Sequence, residues 1–320
     1  MIMTILQAGP LTTVQDTGRF GFMEYGIGRS GVMDTLAYSQ ANELVGNPPG
    51  EAVLEMTLMG AEIMFDEEAL IAYTGADMQV VLDDGSPIER GRAYQLAKGQ
   101  RIRFGIARSG VRAYLAVAGT IDVPEVMGSR STNLKCGIGG YHGRKLQNGD
   151  VLPVSIRKDS ELQIRKLLCR QIKQPDYEKE KRIRVVLGPQ EDMFREEGIR
   201  TFFHEAYTVS TESDRMGIRL LGEAVLAKEK TDIISDGIVF GSIQITSAGL
   251  PIIMMADHQT TGGYAKIATV INEDLPVLAQ ARPGDLIQFE KVEIRSLQKK
   301  HFRMFRGFWQ RKCPAGQQRR

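Results

Sequence analysis

Glycine punctuates this 320-residue chain: 34 of them fall between short apolar or alternating runs, most of them four to six residues long. That spacing leaves little room for long helices and describes many short strands joined by tight turns. The strongest strand candidates are 70–73, 79–82, 101–104, 113–117, 183–187, 243–246 and 251–256. Helical periodicity is confined to two places. One is 34–45, which opens on the N-cap type residue Asp34 and stops at Gly46; the other is 275–280, ended near Pro283. The expected fold is mainly β with a few helices.

The segment 157–184 is charged and poor in turn residues, and it separates two glycine-rich regions, so the boundary between two halves is placed there. The resulting division is 1–156, a connection at 157–182, a second half at 183–291 and a basic tail at 292–320. One short phrase recurs on both sides: GQRIRF at 99–104, GDVLPV at 149–154 and GDLIQF at 284–289. Each reads as a turn feeding an apolar strand, which makes a duplicated β architecture plausible.

With 42% hydrophobic and 25% charged residues, wholesale disorder and fibrous repeats are excluded. The net charge of +2 hides an asymmetry: residues 299–320 hold eight Lys and Arg and no acid, leaving the body mildly acidic. Nucleic acid is therefore not an expected partner. Cys136, Cys169 and Cys313 share no short spacing, which argues against a disulfide scaffold or a zinc site. The four histidines (His142, His204, His258, His301) show no ligand spacing either, so no metal is expected. The first ten residues lack a secretory pattern, and no apolar run approaches membrane-spanning length. A cytoplasmic protein is expected.

GIGRSG at 26–31 matches the dinucleotide fingerprint, with Glu55 at a suggestive distance. Two features oppose that reading: 19–25 is a poor buried strand, and Asp34 would face the pyrophosphate with like charge. There is no phosphate-loop motif and no nucleophile elbow. The chemistry concentrates instead in polar, turn-rich clusters: 12–16 (TTVQD), 128–132 (GSRST), 188–190 (GPQ), 213–217 (SDRMG) and 257–264 (DHQTTGGY). Hydroxyls, amides and glycine N–H groups of this kind can hold a planar carbonyl, a carboxylate or a developing oxyanion. Arg130 and Arg215 can each clamp an anion through two hydrogen bonds. The same residue types also satisfy turn backbones, and for a single cluster the two readings are balanced.

These clusters, together with TTVQDTGR at 12–19, SGVMD at 30–34, NELVGN at 42–47 and GSIQ at 241–244, resemble the biotin-dependent carboxyltransferase-like family. That family includes allophanate hydrolase subunit 2, the carboxyltransferase region of urea carboxylase, and KipA, which is the C subunit of 5-oxoprolinase. The resemblance runs to about Lys291. It implies two related β-barrel halves of cyclophilin-like character and a role beside two further proteins, the KipI-like B subunit and the A subunit of 5-oxoprolinase. The implied activity is ATP-dependent opening of 5-oxoproline to L-glutamate, with ATP used by the complex. The alternatives are biotin-dependent carboxyl transfer to a urea- or amide-like acceptor, and a regulatory partner of a KipI-like kinase inhibitor.

On this reading loops from both halves form one cleft. Gln259, Thr260, Thr261, Gly262 and Gly263 are the expected carbonyl or oxyanion contacts, and Tyr264 offers a stacking face. Arg130 and Arg215 are the expected anion clamps. Asp34, Asp214 and Asp257 are the candidates for orientation or proton transfer. Thr12, Thr13, Gln15, Ser131, Gln190 and Gln244 complete the expected substrate contacts. His258 stands where the family has arginine, so any carboxylate contact from that side chain becomes pH-dependent. Gly119-Thr120 replaces the family's paired glycines.

Overall fold

A computed structural model describes residues 1–295; the aromatic and basic stretch after Lys299 lies outside the described residues. Strands dominate, as the glycine spacing predicts. The first half contains two antiparallel sheets. One has the order Gly119–Ile121, Val151–Ile156, Ile2–Gln7, Glu62–Phe65, Arg101–Arg103, Val81–Leu82; the other has Thr12–Gln15, Val53–Thr57, Ser109–Val117, Ala69–Asp77, Arg92–Leu96. Between them lies one core, with Ile5, Ile63, Phe65, Ile102 and Leu152 from the first sheet facing Leu54, Met56, Ile71, Tyr73 and Leu115 from the second.

The second sheet is buried on both faces, which is why Ser109–Val117 is apolar almost throughout. Its outer face, including Val53, Ala72, Tyr114 and Ala116, packs on Ala37, Tyr38, Ala41 and Leu44 of the helix Thr35–Leu44. Asp34 caps that helix by accepting from Ala37 N at 2.9 Å, and the helix gives way to Gly46 in the left-handed region at φ 71°.

The second half closes into a seven-stranded barrel: Glu180–Leu187, Lys266–Val270, Ser242–Ile245, Pro251–Met254, Gly217–Leu221, Tyr207–Val209, Leu286–Lys291. Closure comes from a parallel pairing of the last strand with the first, Glu180 opposite Leu286 and Val185 opposite Lys291. Ile183, Val185, Ile218, Ile243, Ile253, Ile267 and Ile287 fill the interior, and the helix Glu196–His204 stacks Phe202 on Phe289 at 4.4 Å. Met33, from the first half, is buried in this second core. A ring thus closes in the second half, whereas the strands of the first half divide into two facing sheets. The chain crosses between those sheets at Gly9, where a Cβ would sit 2.8 Å from Met59 O.

The three recurring phrases all begin at left-handed glycines, Gly99, Gly149 and Gly284, and feed the strands Arg101–Arg103, Val151–Ile156 and Leu286–Lys291. The charged connection contains the helix Glu161–Leu168, whose Leu167 is buried against the first half. The loop after it is tied down by Gln174, which accepts from Gly75 N and donates to Gln40.

Candidate functional site

The residues 26–34 form a strap between the 3-10 helix Met23–Tyr25 and the helix Thr35–Leu44, with no parallel strand before it, which removes the dinucleotide reading. Each side of the strap touches a polar cluster. On one side Asp16, at the end of Thr12–Gln15, gathers the 128–132 turn. Its carboxylate accepts from Ser129 Oγ (2.6 Å), Ser131 Oγ (2.5 Å), Arg130 N (2.6 Å) and Gly18 N (2.8 Å). Gln15 donates to Thr13 Oγ1 and to Thr132 O, and Arg19 donates to Ser131 O. The strap joins this cluster through Val32 N to Asp16 O and Arg19 N to Arg29 O.

On the other side Arg215 is fully enclosed. It donates through Nε to Asp257 Oδ2 at 2.8 Å, through Nη2 to Asp257 Oδ1 at 3.1 Å and to Gly31 O at 2.6 Å, and through Nη1 to Glu55 Oε1. Burial by itself would lower its pKa, but Asp257 and Glu55 outweigh that and raise it, so the guanidinium is permanently charged. Glu55 also accepts from Met33 N and from Tyr114 Oη. Tyr114 Oη in turn accepts from Asp34 N, and Asp34 Oδ2 accepts from Gln280 Nε2. Desolvation, the dominant effect on Asp34, pushes its carboxyl up to about 6. This network ties the two halves together.

The expected anion clamps need correction. Arg215 is engaged by two carboxylates and a carbonyl of its own chain, leaving it a structural cation rather than a ligand clamp. Arg130 pairs with Glu125 at 2.9 Å near the surface. Asp214 is exposed and caps a turn by accepting from Met216 N and Gly217 N, a local backbone role. Thr12 turns its hydroxyl to Ala8 O. Three cavities among the described residues, of about 820, 360 and 480 Å³, have linings without Arg130, Arg215 or Thr260; Asp34 lines the 360 Å³ one, between the halves.

The 257–264 segment divides between two places. Asp257 and His258 are buried beside the strap, with Gly28 close enough that a Cβ there would lie 3.1 Å from His258 O. His258 Nδ1 faces Gln259 O at 2.7 Å, and burial lowers its pKa, so it is neutral at pH 7. Thr260 O accepts from Ile238 N, and Thr261–Tyr264 pairs with Asp232–Gly237 to form a two-stranded flap. Under the flap Gln244 donates to Tyr264 O, and a Cβ on Gly262 would lie 2.7 Å from Gln244 Nε2. Gln190 Oε1 accepts from Lys266 N, whose Nζ holds Asp236 Oδ2 at 2.7 Å. Gly263 has Ser235 within reach of its Cβ position. The structure therefore brings Thr13, Gln15, Ser131, Asp257 and Arg215 around one strap, and Gln190, Gln244, Gly262 and Tyr264 under one flap.

Sequence reasoning missed Arg19, Arg112, Tyr114, Gln280, Lys266 and Asp236, and it placed Glu55 only in the rejected dinucleotide pattern. Arg19 lies inside the TTVQDTGR phrase, the one signal that pointed to it. Among the described residues no group of three or more His, Cys, Asp or Glu could hold a metal, and no helix is long and apolar enough to cross a membrane.

A mainly β chain with a closed seven-stranded barrel and a strap of polar clusters between its halves is the architecture of a carboxyltransferase-like protein. The chain belongs to the family described as carboxyltransferase domain, subdomain A and B, which matches residues 25–291. It is 38% identical to the C subunit of 5-oxoprolinase from Escherichia coli, covering 94% of this chain and 96% of that protein. Against the C subunit of 5-oxoprolinase from Haemophilus influenzae the identity is 36%, over 93% and 94%. Urea amidolyase of Lachancea kluyveri is 35% identical over 90% of this chain, but only 17% of its own length is covered. Among solved structures, Kluyveromyces lactis urea amidolyase superposes with a TM-score of 0.82 at 31% identity, covering 94% of this chain and 19% of that one. TTHA0988 gives 0.81 at 32%, and this chain spans about half of it, with 90% and 55% covered.

Proposed function

We propose that this chain is the C subunit of an ATP-dependent 5-oxoprolinase, acting with the KipI-like B subunit and the A subunit to open 5-oxoproline to L-glutamate. The observation that carries this reading is the end-to-end match to the C subunit of 5-oxoprolinase, 96% of the E. coli protein, against 17% of a urea amidolyase. ATP is the co-substrate of the assembly. No motif of this chain's sequence assigns an ATP site to it, and the donor-rich clusters are of the kind that holds the acyl compound. The polar groups beside the strap and the backbone of 259–263 supply donors for a lactam carbonyl and for the oxyanion formed as it is attacked. Asp257, fixed by Arg215, holds that loop in place. Among the described residues Cys136 and Cys169 are exposed and unbridged, which supports a cytoplasmic setting.

A second reading, transfer of a carboxyl group from biotin on a carrier protein to a urea- or amide-like acceptor, is favoured by the 35% identity to urea amidolyase. One assay separates the two. The chain is mixed with its KipI-like partner and the third component, and ADP and glutamate release are followed with 5-oxoproline, with urea, and with carboxybiotin plus acceptor. Glutamate formation that requires all three proteins and 5-oxoproline supports the proposal. Carboxylated acceptor without glutamate overturns it in favour of transfer. Tight binding of the KipI-like partner with no turnover on any substrate assigns the chain a regulatory role.

A further inference from the structure

Of the ten buried side-chain atoms that lack a hydrogen-bond partner among the described residues, five belong to Gln15, Arg19, Ser30 and Arg130. All four residues adjoin the knot of Asp16 and Ser131. Gln15 reaches Thr132 O, Arg19 reaches Ser131 O, the Arg130 amide binds Asp16, and Ser30 O lies 2.8 Å from a Cβ position at Gly18. Buried polar groups are nearly always partnered, because each one left alone costs about 1–3 kcal/mol. A concentration of unpartnered polar atoms at one place marks where an outside group belongs.

Arg19 is the centre of it. Its side chain is 1% exposed, it forms no ion pair among the described residues, and Nε and Nη1 are without partners. Arg215, across the strap, is in contrast saturated by two carboxylates. Asp16 favours the Arg19 charge from nearby but makes no hydrogen bond to it among the described residues, because its oxygens are taken by Ser129, Ser131, Arg130 and Gly18. Arg112 is also buried without an ion pair among the described residues, yet it has one unpartnered atom and donates to Ala279 O. Above Arg19 runs the 133–143 loop. Gly139 comes so near that a Cβ there would be 2.6 Å from Arg19 Nη2, while Leu134 and Cys136 of the same loop are exposed, so the guanidinium lies one layer beneath solvent.

We propose that Arg19, with the unpartnered Ser30 hydroxyl of the same cluster, is a subsite for the carboxylate of a small acyl substrate. The inference rests on the 5-oxoprolinase reading for the identity of that substrate, whose ring carboxylate Arg19 receives while its lactam faces the donors near His258. Arg19 is a binding residue in this scheme and no proton or bond changes on it.

The test uses the assembled three-protein complex and the variants Arg19→Gln and Arg19→Lys, with three probes measured by calorimetry. These are 5-oxoproline, the neutral lactam 2-pyrrolidinone, and cyclopentanecarboxylate, which has the acid without the lactam. Arg19→Gln should bind 5-oxoproline roughly ten- to a hundredfold more weakly, with 2-pyrrolidinone unchanged. Arg19→Lys, which keeps the charge and loses the fork, should fall between and covers the case in which the glutamine variant fails to fold. Equal affinity for 5-oxoproline in wild type and variants overturns the subsite and leaves water as the partner of Arg19. Parallel loss of acid and lactam also overturns it, since a purely structural role predicts that. If the wild type shows no response to 5-oxoproline, the 5-oxoprolinase reading fails, and cyclopentanecarboxylate still judges the subsite. Binding lost in Arg19→Gln upholds it; no binding, or unchanged binding, sinks it.

Discussion

Gln280 Nε2 donates to Asp34 Oδ2 at 2.8 Å, joining residues 246 positions apart and fastening the end of one half to the start of a helix in the other. The same side chain accepts from Val111 N at 2.8 Å and Arg112 N at 2.9 Å and donates to Arg112 O. Replacing it with alanine strands two amides, a carbonyl and a carboxylate in a site that is 0% exposed. Gln280→Ala is expected to cost about 3 kcal/mol or more, read by urea denaturation.

Arg215→Met leaves Glu55 and Asp257 as buried, uncompensated carboxylates. The expected loss is about 3–5 kcal/mol. The double variant Arg215→Met with Glu55→Gln should recover part of it, because one of the stranded charges is gone. A double-mutant cycle with no recovery would mean that the pair is not coupled in solution.

Two groups near the junction respond to acid in opposite directions. Desolvation raises Asp34 from 3.8 to about 6, so between pH 4 and 6 the folded chain holds a proton that the unfolded chain releases. Stability from this group therefore falls as pH rises through that window, by about 3 kcal/mol in all. Burial lowers His258, so its contribution is present at neutral pH and is lost as pH drops below the unfolded value of 6.5. Stability measured from pH 4 to 8 should lose the first slope in Asp34→Asn and the second in His258→Gln. A carboxyl ¹³C signal of Asp34 titrating near 4 would refute the first assignment.

Gly139 carries φ 69°, and a Cβ on it would meet Ser131 O at 2.2 Å and Arg19 Nη2 at 2.6 Å. Gly139→Ala is expected to destabilise by about 1–3 kcal/mol and to lower turnover of the complex at least tenfold. Gly137→Ala, in the same loop and with nothing within 4 Å of the added carbon, should show the backbone cost without the loss of turnover.

What could be read in advance was local. The Asp34 cap, the Gly46 stop and the three glycine-led strands depend on neighbours a few residues away, and all appear as the sequence predicts. The helix Glu161–Leu168 has no sequence signal of its own within the charged connection, because with only Leu167 buried its apolar face is too thin to register. The site was legible as residue types and not as pairings. Glu55 and Arg215 are 160 positions apart, and Asp16 and Ser131 are 115 apart, so nothing in either neighbourhood indicates which carboxylate an arginine will meet. For that reason the sequence presents Arg215 as a ligand clamp, whereas the fold engages it with Glu55 and Asp257. The separation of the first half into two sheets comes from repeated passages of the chain between them, the first at Gly9, and such long-range pairing is not revealed by composition.

Because Leu286–Lys291 lies between Tyr207–Val209 and Glu180–Leu187, the ring of the second half cannot be completed until synthesis has passed Lys291 and that segment has cleared the ribosome. Until then two strand edges stay open and Ile183, Ile243 and Ile267 have no finished interior to enter, the state in which nascent β proteins are most exposed to mispairing. A frameshift or nonsense codon anywhere before Leu286 should therefore yield inclusion bodies or proteolysis rather than a shortened but working protein.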